Sequence, residues 1–193
     1  MLDKSVKYAG FFMRKKASEP TPDYPLPDGY RFVFYKDGDE SEWARLETSV
    51  LEFDSEFAAI MRFKSDYGSM QEELYRRCIF IENDAGEKVA TGTAWWADMA
   101  GQRRPWVQWI SVSPAYQGKG LGKAVVAQVL RTLSELEGGK DAFLETQTWS
   151  YKAVGIYKSC GFEPTDEEAL YAGRKHNYKK AMRILKRLNA NLK

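Results

Sequence analysis

The stretch SVSPAYQGKGLGKAVVAQVL, residues 111–130, decides the fold. A β-like run ends at a proline, three glycines follow at every second position, and an apolar helix pattern then begins. Glycines allow consecutive backbone N–H groups to turn toward one anion, and a helix that begins there adds the positive end of its dipole. The stretch therefore predicts a strand, an anion-binding loop and a helix, with Lys119 and Lys123 adding charge at the rim.

Better-known phosphate-binding loops match this stretch less well. A Walker A loop requires a hydroxyl side chain directly after its Gly-Lys pair, where this chain has Ala124, and a glycine where it has Gln117. The dinucleotide fingerprint has the spacing GxGxxG rather than GxGxG, and its acidic residue about 20 positions later is matched only by Glu145, inside a predicted strand. Two readings stay open: a pyrophosphate cradle that needs no metal, and a tight turn in which the glycines serve geometry only.

The composition describes an ordinary folded domain without a dominant charge. The chain has 193 residues, of which 44% are hydrophobic and 29% charged, and its formal net charge of +2 excludes a chain-wide polybasic surface. Its two cysteines, Cys78 and Cys160, and its single histidine fit no metal-ligand spacing. No run approaches the ~20 apolar residues of a membrane span. We expect a cytoplasmic protein with reduced thiols, no metal, no membrane association and no nucleic-acid partner.

The predicted elements follow a mixed α/β order. Residues 29–166 read as strand, two or three helices, three strands, helix, strand, helix and short strand. Four of the seven prolines lie between positions 20 and 27, which predicts an N-terminal extension and proline-rich linker over residues 1–28, although residues 7–13 could form a strand. Residues 167–193 are predicted to be a helical segment packed on the domain.

The first of two motifs that carry a family resemblance lies in the glycine loop. The sequence VSPAYQGKGLGK has Gln117, Gly120 and Gly122 at the fixed positions of the pattern Arg/Gln-x-x-Gly-x-Gly/Ala, after a strand that ends in Val-x-Pro. This pattern is similar to the acetyl-CoA-binding motif of the GNAT superfamily of N-acetyltransferases.

The second motif follows about forty residues later. The sequence AVGIYKSCGF has Ala153, Tyr157, Gly161 and Phe162 at the positions of the family's Ala-x-x-x-Tyr-x-x-x-Gly-Phe signature. With both motifs in order, and a helix and a strand between them, the chain resembles the GNAT superfamily over about residues 29–164.

The resemblance implies an α/β (α+β) fold: a GNAT-like mixed, mainly antiparallel central sheet of six to seven strands with helices on both faces. Strands four and five of the family fold, here about residues 105–112 and 141–148, are expected to splay apart after a bulge in strand four. The family fold usually ends in a seventh strand. Residues 177–192 read as a helix instead, so that strand is expected to be short or replaced.

The resemblance also implies acetyl transfer from acetyl-CoA. Tyr157 is expected to act as general acid toward the CoA thiolate, and backbone groups around Ile110–Val112 to pair with the pantetheine amides and the thioester carbonyl. The residues expected to bind acetyl-CoA are Ile110, Ser111, Val112, Gln117, Gly118, Lys119, Gly120, Leu121, Gly122, Lys123, Ser150, Ala153 and Tyr157. Ser150 is also a suitable N-cap for the helix that follows it.

The general base is the least determined member of this site. An alkylamine with a pKa of ~10.4 is only about one part in a thousand neutral near pH 7.5, so a proton acceptor is expected. Many family members carry a carboxylate on strand four, whereas RPWVQWISV has none. Glu145, on the next strand, is the first candidate and Asp98 the second.

The predicted function is therefore an acetyl-CoA-dependent N-acetyltransferase that joins acetyl-CoA and a primary amine in a ternary complex, by direct attack of the amine. The acceptor is a small-molecule or peptide amine, and the protein is expected to be a monomer or homodimer. The alternative is a non-catalytic CoA-binding regulatory or sensor module, which would keep the glycine loop and lose the chemistry. Five tryptophans crowd the expected acceptor region, and the adjacent Trp95 and Trp96 are expected to point to opposite faces of their strand.

Overall fold

A computed structural model describes residues 2–99, 101–167, 170 and 176–191 of the chain, and within them helices flank one seven-stranded sheet. The strands are β1 (Gly10–Lys15), β2 (Tyr30–Phe34), β3 (Cys78–Asn83), β4 (Lys88–Met99), β5 (Gln102–Val112), β6 (Ala142–Gln147) and β7 (Glu163–Thr165). The helices are α1 (Glu40–Ser49), α2 (Glu56–Tyr67), α3 (Gln71–Arg77), α4 (Leu121–Glu137), α5 (Tyr151–Ser159) and α6 (Tyr178–Asn191).

The strands lie side by side in the order β2-β3-β4-β5-β6-β1-β7. The pairs are antiparallel, with the exception of β5 and β6, which are parallel. The expectation of a mixed, mainly antiparallel sheet of six to seven strands is confirmed. Family strands four and five correspond to β5 and β6 in this numbering.

Helices cover both faces of the sheet because its central strands are apolar on both sides. In β3, Phe80 packs with Trp43 of α1 and Phe63 of α2, whereas its neighbour Ile81 packs with Val125 of α4. Successive residues of a strand point to opposite faces. It follows that α1 and α2 lie on one face of the sheet and α4 lies on the other.

The helix predicted after the glycine loop is α4. Its stripe of Leu121, Val125, Val129 and Leu133 is buried against the sheet, as the spacing of the apolar residues predicts. The helix ends at Gly138, which has φ +73° and so adopts the left-handed conformation that terminates many helices.

The N-terminal segment forms a strand, as residues 7–13 suggested, but this strand does not precede the domain as predicted. β1 lies inside the sheet between β6 and β7, antiparallel to both, with Phe12 opposite Glu145. Its Phe11, Phe12 and Met13 have no exposed surface. Residues 10–15 are therefore part of the sheet rather than of an extension that precedes the domain. The apolar residues of GFFMRK do not alternate with polar ones, because a strand that is buried on both faces carries apolar side chains on both faces.

The described C-terminal residues are helical, as predicted. α6 buries Ala181 and Leu185 and contacts β1. The strand that usually ends the family fold is not formed by these residues, and the place beside β6 is taken by β1. Leu192, at the end of the predicted helix, lies outside the described residues.

Replacement of a β1 core residue should show that this strand is part of the folded unit. We expect Phe11→Ala to lower the free energy of unfolding by about 3–5 kcal/mol, because a fully buried phenylalanine leaves a cavity. Phe57→Ala is the matched control, since Phe57 on α2 is 75% exposed, and should change stability by less than about 1 kcal/mol. Urea denaturation of both variants measures the difference; equal, small effects would contradict the burial of β1.

Candidate active site

The feature that opens the sheet is a bulge in β5. Thr91 of β4 pairs with Ser111, but Thr93 pairs with Gln108, so β5 has one residue more than β4 between these two pairs. Trp109 lies in the bulge with φ +51°, a left-handed conformation that costs a non-glycine residue about 1–2 kcal/mol. A bulge bends its strand and increases the twist. The bulge expected in this strand is therefore present.

β5 and β6 part beyond this bulge. Trp106 and Phe143 are the backbone pair that joins the two strands in the described residues, so the predicted splay is confirmed. A cavity of about 520 Å³ is lined by the end of β5 and by residues of α1, α4 and α5. Because α1 and α4 lie on opposite faces, the cavity passes through the sheet. Its lining residues are Leu2, Glu47, Val50, Glu52, Ile110, Ser111, Val112, Tyr116, Gln117, Gly118, Gly120, Leu121, Gly122, Lys123, Ser150, Lys152, Ala153, Ile156 and Tyr157.

The glycine loop forms one wall of this cavity. Gly118 and Gly120 have φ +81° and +85°, and no heavy atom lies within 4 Å of the position that a Cβ would take at either residue. The side-chain Nε2 of Gln117 donates to the backbone carbonyl of Val112 at 3.0 Å, and this hydrogen bond connects the loop to β5. In the first turn of α4 the N–H of Lys123 donates to the carbonyl of Gly120 at 3.1 Å, whereas no such bond is found for the N–H groups of Leu121 and Gly122 among the described residues. This wall therefore presents backbone donors and the positive end of a helix dipole.

Positive side chains add to the same wall. Lys123 lines the cavity as predicted, and so does Lys152 of α5, which the sequence analysis did not single out. Lys119 is not among the lining residues; its Nζ lies 5.6 Å from the centroid of the Tyr116 ring. The charge that faces the cavity thus comes from α4 and α5 rather than from the tip of the loop.

Helix α5 supplies the next wall. A Cβ at Gly122 would lie 2.9 Å from Cδ1 of Ile156, so this glycine allows α4 and α5 to pack closely. Tyr157 is 8% exposed and lines the cavity. Its burial, with the nearby carboxylates of Glu47 and Glu52, raises the pKa of its hydroxyl. The wall therefore offers a hydroxyl that keeps its proton at neutral pH.

The predicted cap of α5 is not formed. Ser150 precedes the helix and lines the cavity, but its side chain makes no capping hydrogen bond. The expected N-cap role is therefore wrong, because the chain enters α5 from a short 3-10 turn, Thr148–Ser150, rather than from an extended residue.

The carboxylate predicted as general base lies elsewhere. Glu145 is not among the residues that line the cavity; its Oε1 lies 2.7 Å from Nε2 of His176. β6 alternates, so Glu145 points away from the side of the strand on which Leu144 is buried. Asp98 is also absent from the lining and pairs in register with Arg103 near the β4–β5 turn. Glu145 was a candidate because of its position near the splay; it does lie two residues beyond the Trp106–Phe143 pair, but its side chain contacts His176 rather than the cavity.

Two glutamates at the end of α1 line the cavity instead. The N–H of Leu51 donates to the carbonyl of Thr48 at 3.0 Å, and the N–H of Glu52 donates to the carbonyl of Glu47 at 3.1 Å. With φ +69° at Leu51, this is a Schellman motif in which leucine occupies the position usually held by glycine. In this motif the chain turns back at the end of the helix, so that the residue after the left-handed position lies beside the residue whose carbonyl accepts its N–H. It therefore places Glu52 near Glu47.

Glu47 is unusual among carboxylates because it is 2% exposed and its Oε1 has no hydrogen-bond partner among the described residues. Burial and the neighbouring Glu52 raise the pKa of Glu47 to about 8. Ser111 lies close enough to oppose this rise, although its hydroxyl makes no hydrogen bond of acceptable geometry. A sequence signal existed: Glu47 follows Trp43 by four residues and so falls on the apolar stripe of α1.

The tryptophans do not form a wall of the cavity. None of the six tryptophans is among its described lining residues. Trp95 and Trp96 do not point apart as expected; their rings stack at 4.3 Å between centroids. Arg103 lies 3.8 Å from the centroid of the Trp96 ring, and this cation–π contact forms on the β4–β5 pair, where Trp96 is opposite Pro105.

Neither a membrane-crossing helix nor a metal-binding cluster of side chains occurs among residues 2–99, 101–167, 170 and 176–191. None of the helices there combines the length and the apolar character needed to cross a membrane. No group of three or more histidine, cysteine or acidic side chains in that part of the chain is arranged to hold a metal ion.

Glu47 should make stability depend on pH. Below pH ~4.5 its carboxyl is protonated in both states; between about 4.5 and 8 only the folded state keeps the proton, so the free energy of unfolding falls as pH rises through this window. We expect the free energy of unfolding of the wild type to decline by a few kcal/mol over this window, on the order of 3–5, and the Glu47→Gln variant to lack this decline. Urea denaturation from pH 4.5 to 9 measures it. Parallel curves for wild type and variant would mean that Glu47 ionises normally.

Comparison with known proteins relates this geometry to a family. A segment of 57 residues is 39% identical to the N-alpha-acetyltransferase RimI of Mycobacterium tuberculosis and covers 30% of this chain and 34% of that protein. A similar segment of 58 residues is 36% identical to N-acetyltransferase family 8 member 3 of the mouse, covering 30% of this chain and 25% of the mouse protein. The chain thus matches about a third or less of the length of these curated relatives.

Solved structures share the fold. A GCN5-related N-acetyltransferase from Sphaerobacter thermophilus superposes with a TM-score of 0.66 at 19% identity, over 83% of this chain and 49% of that chain. Glucosamine-6-phosphate N-acetyltransferase from Arabidopsis thaliana superposes with a TM-score of 0.53 at 17% identity, over 71% of this chain and 93% of the plant chain. The sequence also matches the acetyltransferase (GNAT) family over residues 16–162, and with more than half of its length in that match the chain belongs to the GNAT family of acetyltransferases.

Proposed function

We propose that this protein transfers the acetyl group of acetyl-CoA to a primary amine by direct attack within a ternary complex. One observation carries the proposal: the cavity passes through the sheet where β5 and β6 part, with backbone donors and lysines on the α4 side and two glutamates on the α1 side. A donor that carries phosphates and an acceptor amine can then approach from opposite faces and meet in the opening. The family membership supports acetyl transfer as the reaction.

The residues of the α4 side fit acetyl-CoA. The space beside Gly118 and Gly120, which a Cβ would enter, leaves room for a pyrophosphate against the backbone. The side chain of Lys123 and the N–H groups of Leu121 and Gly122 at the start of α4 would bind its negative charge. The backbone of Ser111 and Val112, beyond the bulge, would bind the pantetheine arm along the open edge of β5. Acetyl-CoA bound in this way supplies an acetyl thioester at the centre of the cavity.

Tyr157 is proposed as the general acid. Its hydroxyl lines the cavity in a nearly water-free position, where a hydrogen bond to the leaving sulfur is stronger than in water. The raised pKa of this hydroxyl keeps it protonated at neutral pH, and it also makes donation to a thiolate with a pKa of ~8.5 more uphill than from an ordinary tyrosine. The phenolate left after donation regains a proton from the nitrogen of the new amide, so Tyr157 ends the cycle unchanged.

The relatives bear on the acceptor only in general terms. RimI is named as an N-alpha-acetyltransferase and the Arabidopsis protein as a glucosamine-6-phosphate N-acetyltransferase, so both names describe acetylation of an amine nitrogen. Only the name of the Arabidopsis protein states an acceptor molecule. We therefore propose that the acceptor is an amine, either a small molecule or a peptide, and that the protein acts as a monomer or homodimer. We place it in the cytoplasm because both described cysteines are free and buried, as reduced thiols would be.

The glycine loop can be tested by binding. We expect Gly120→Ala to weaken acetyl-CoA binding at least tenfold, because a Cβ enters the space proposed for the pyrophosphate. Gly38→Ala is the matched control: Gly38 has φ +94° and also has open space around its Cβ position, but it precedes α1 outside the cavity. Both variants carry similar backbone strain. Isothermal titration with acetyl-CoA measures the affinities, and an equal effect of the two substitutions would argue against a phosphate cradle.

The acid role can be tested by turnover. We expect Tyr157→Phe to lower kcat for thiol release from acetyl-CoA by about 10²-fold or more with little change in the Kd for acetyl-CoA. Tyr151→Phe is the control, since Tyr151 lies on the same helix and does not line the cavity. Release is followed with a thiol reagent across a panel of amines. A Tyr157→Phe enzyme within threefold of wild type would contradict the acid role, and binding of acetyl-CoA without release for any acceptor would contradict the proposed function.

A further inference from the structure

The α1 side of the cavity contains an arrangement that folding alone does not explain. In a Schellman motif the residue after the turn and the residue three before the helix end usually make an apolar contact. Here these two positions are Glu52 and Glu47. Two carboxylates that repel each other are thus held together by a turn whose left-handed position, Leu51, is itself strained.

The buried carboxylate is aimed into the cavity rather than paired inside the protein. Glu47 lines the cavity, is 2% exposed, and its Oε1 has no hydrogen-bond partner among the described residues. A buried carboxylate oxygen without a partner is strongly unfavourable unless a ligand or a proton satisfies it. Glu52 lines the same region, and no side-chain hydrogen bond or ion pair is found for it among the described residues.

We propose that Glu47 and Glu52 bind the acceptor as an alkylammonium ion and that Glu47 accepts its proton. This inference rests on the acetyl transfer proposed above and names the substrate class for it: a primary amine on an sp³ carbon, charged in water. An aryl amine or a hydroxyl acceptor arrives neutral and gains nothing from two carboxylates. A cation that binds between them removes the repulsion between Glu47 and Glu52 and provides the missing partner of Oε1.

The acidity of Glu47 suits this role. An ordinary carboxylate is weaker than an alkylamine as a proton acceptor by about 10⁶-fold, because their pKa values are ~4.3 and ~10.4. With the pKa of Glu47 raised to about 8, the disadvantage falls to about 10²–10³-fold. Burial therefore turns a poor base into one matched to an alkylammonium ion.

The groups around Glu47 are consistent with a single proton-accepting carboxylate. Glu52 raises its pKa and the hydroxyl of Ser111 on β5 opposes this. Burial raises the pKa of Glu52, and Lys4 and Arg62 oppose this rise. Other titratable groups that face Glu47 or share the cavity with it are Tyr67 on α2, Cys78 on β3, Tyr157 and Lys152 on α5 and Lys123 on α4.

The step balances without a further reactant. The ammonium ion transfers one proton to the carboxylate of Glu47, and the neutral amine attacks the thioester carbonyl carbon. A C–N bond forms, the C–S bond breaks, the sulfur takes a proton from Tyr157, and the amide nitrogen returns one to it. Glu47 then releases its proton to solvent, so that ammonium and acetyl thioester yield amide, thiol and one proton.

The experiment measures kcat/KM from pH 6 to 11 for wild type, Glu47→Gln and Glu52→Gln. Glu56→Gln is the control, because the side chain of Glu56 is exposed in the first turn of α2. The probes are butylamine, benzylamine, lysine methyl ester and a tripeptide with a free N-terminus, with aniline as the neutral comparison. For wild type with butylamine or benzylamine we expect a plateau that begins near pH 8 and ends at the pKa of the amine, whereas the N-terminal amine of the tripeptide, with a pKa of about 8, should give no plateau. Glu56→Gln should have the same profile.

The two cavity variants should change the profile differently. Glu47→Gln should lose 10²–10³-fold at pH 8 with alkylamines, and its rate should rise up to the pKa of the amine, because only neutral amine then reacts. Glu52→Gln should move the acid limb to lower pH, because Glu52 raises the pKa of Glu47, and should increase KM for the alkylamines. Circular dichroism of each variant checks that it is folded, and Glu47→Gln preserves the shape of the side chain.

The outcomes separate this inference from the function on which it rests. Turnover of alkylamines by Glu47→Gln within threefold of wild type, with an unchanged acid limb, would overturn the role of Glu47 and leave the acetyltransferase standing. Turnover of aniline but of no alkylamine would overturn the substrate class and leave acetyl transfer standing. Absence of thiol release with every amine, while acetyl-CoA still binds, would overturn both.

Discussion

The cavity exists because β5 and β6 are joined at Trp106 and Phe143 and then part. Gly92 of the neighbouring strand leaves room for side chains beside the bulge, since a Cβ there would lie 2.5 Å from Cδ1 of Ile110 and 3.0 Å from Cγ2 of Val129 on α4. A larger residue at position 92 would require Ile110 to shift. A continuous ladder would have left no passage from one face of the sheet to the other.

The opening is also held from outside the sheet. The backbone of Leu2 donates to Val50 at the end of α1, and Asp3 donates to Trp149 after β6, both at 3.0 Å. The N-terminal residues thus connect the two sides of the splay before the chain enters β1. These hydrogen bonds, with β1 beyond them, limit how far α1 can move relative to α5. The distance between the carboxylates and Tyr157 is therefore set by the N-terminal segment as well as by the two helices.

Local rules are broken mainly around this cavity. Trp109 and Leu51 are the described non-glycine residues with positive φ, one in the bulge and one in the turn after α1. Glu47 is a buried carboxylate on an apolar stripe. Each of these features is unfavourable by itself, and strain of this kind persists at functional sites when the surrounding structure determines it. The aromatic cluster of α1 and α2, with Trp43 and Phe63 at its centre, supplies the burial that holds these residues in place.

The sequence by itself determined the features that depend on neighbours along the chain: the glycine loop, α4 with its cap at Gly138, the two motifs, and the cavity position of Tyr157 at the fifth position of the second motif. Backbone conformation and helix periodicity are local, so a short stretch is enough to predict them. Only the tertiary structure decided that β1 joins the sheet beside β6, that Glu145 faces away from the cavity, and that Glu47 faces into it. The place and register of β1 come from its pairing with β6, more than a hundred positions away, and the raised pKa of Glu47 comes from its burial and from Glu52.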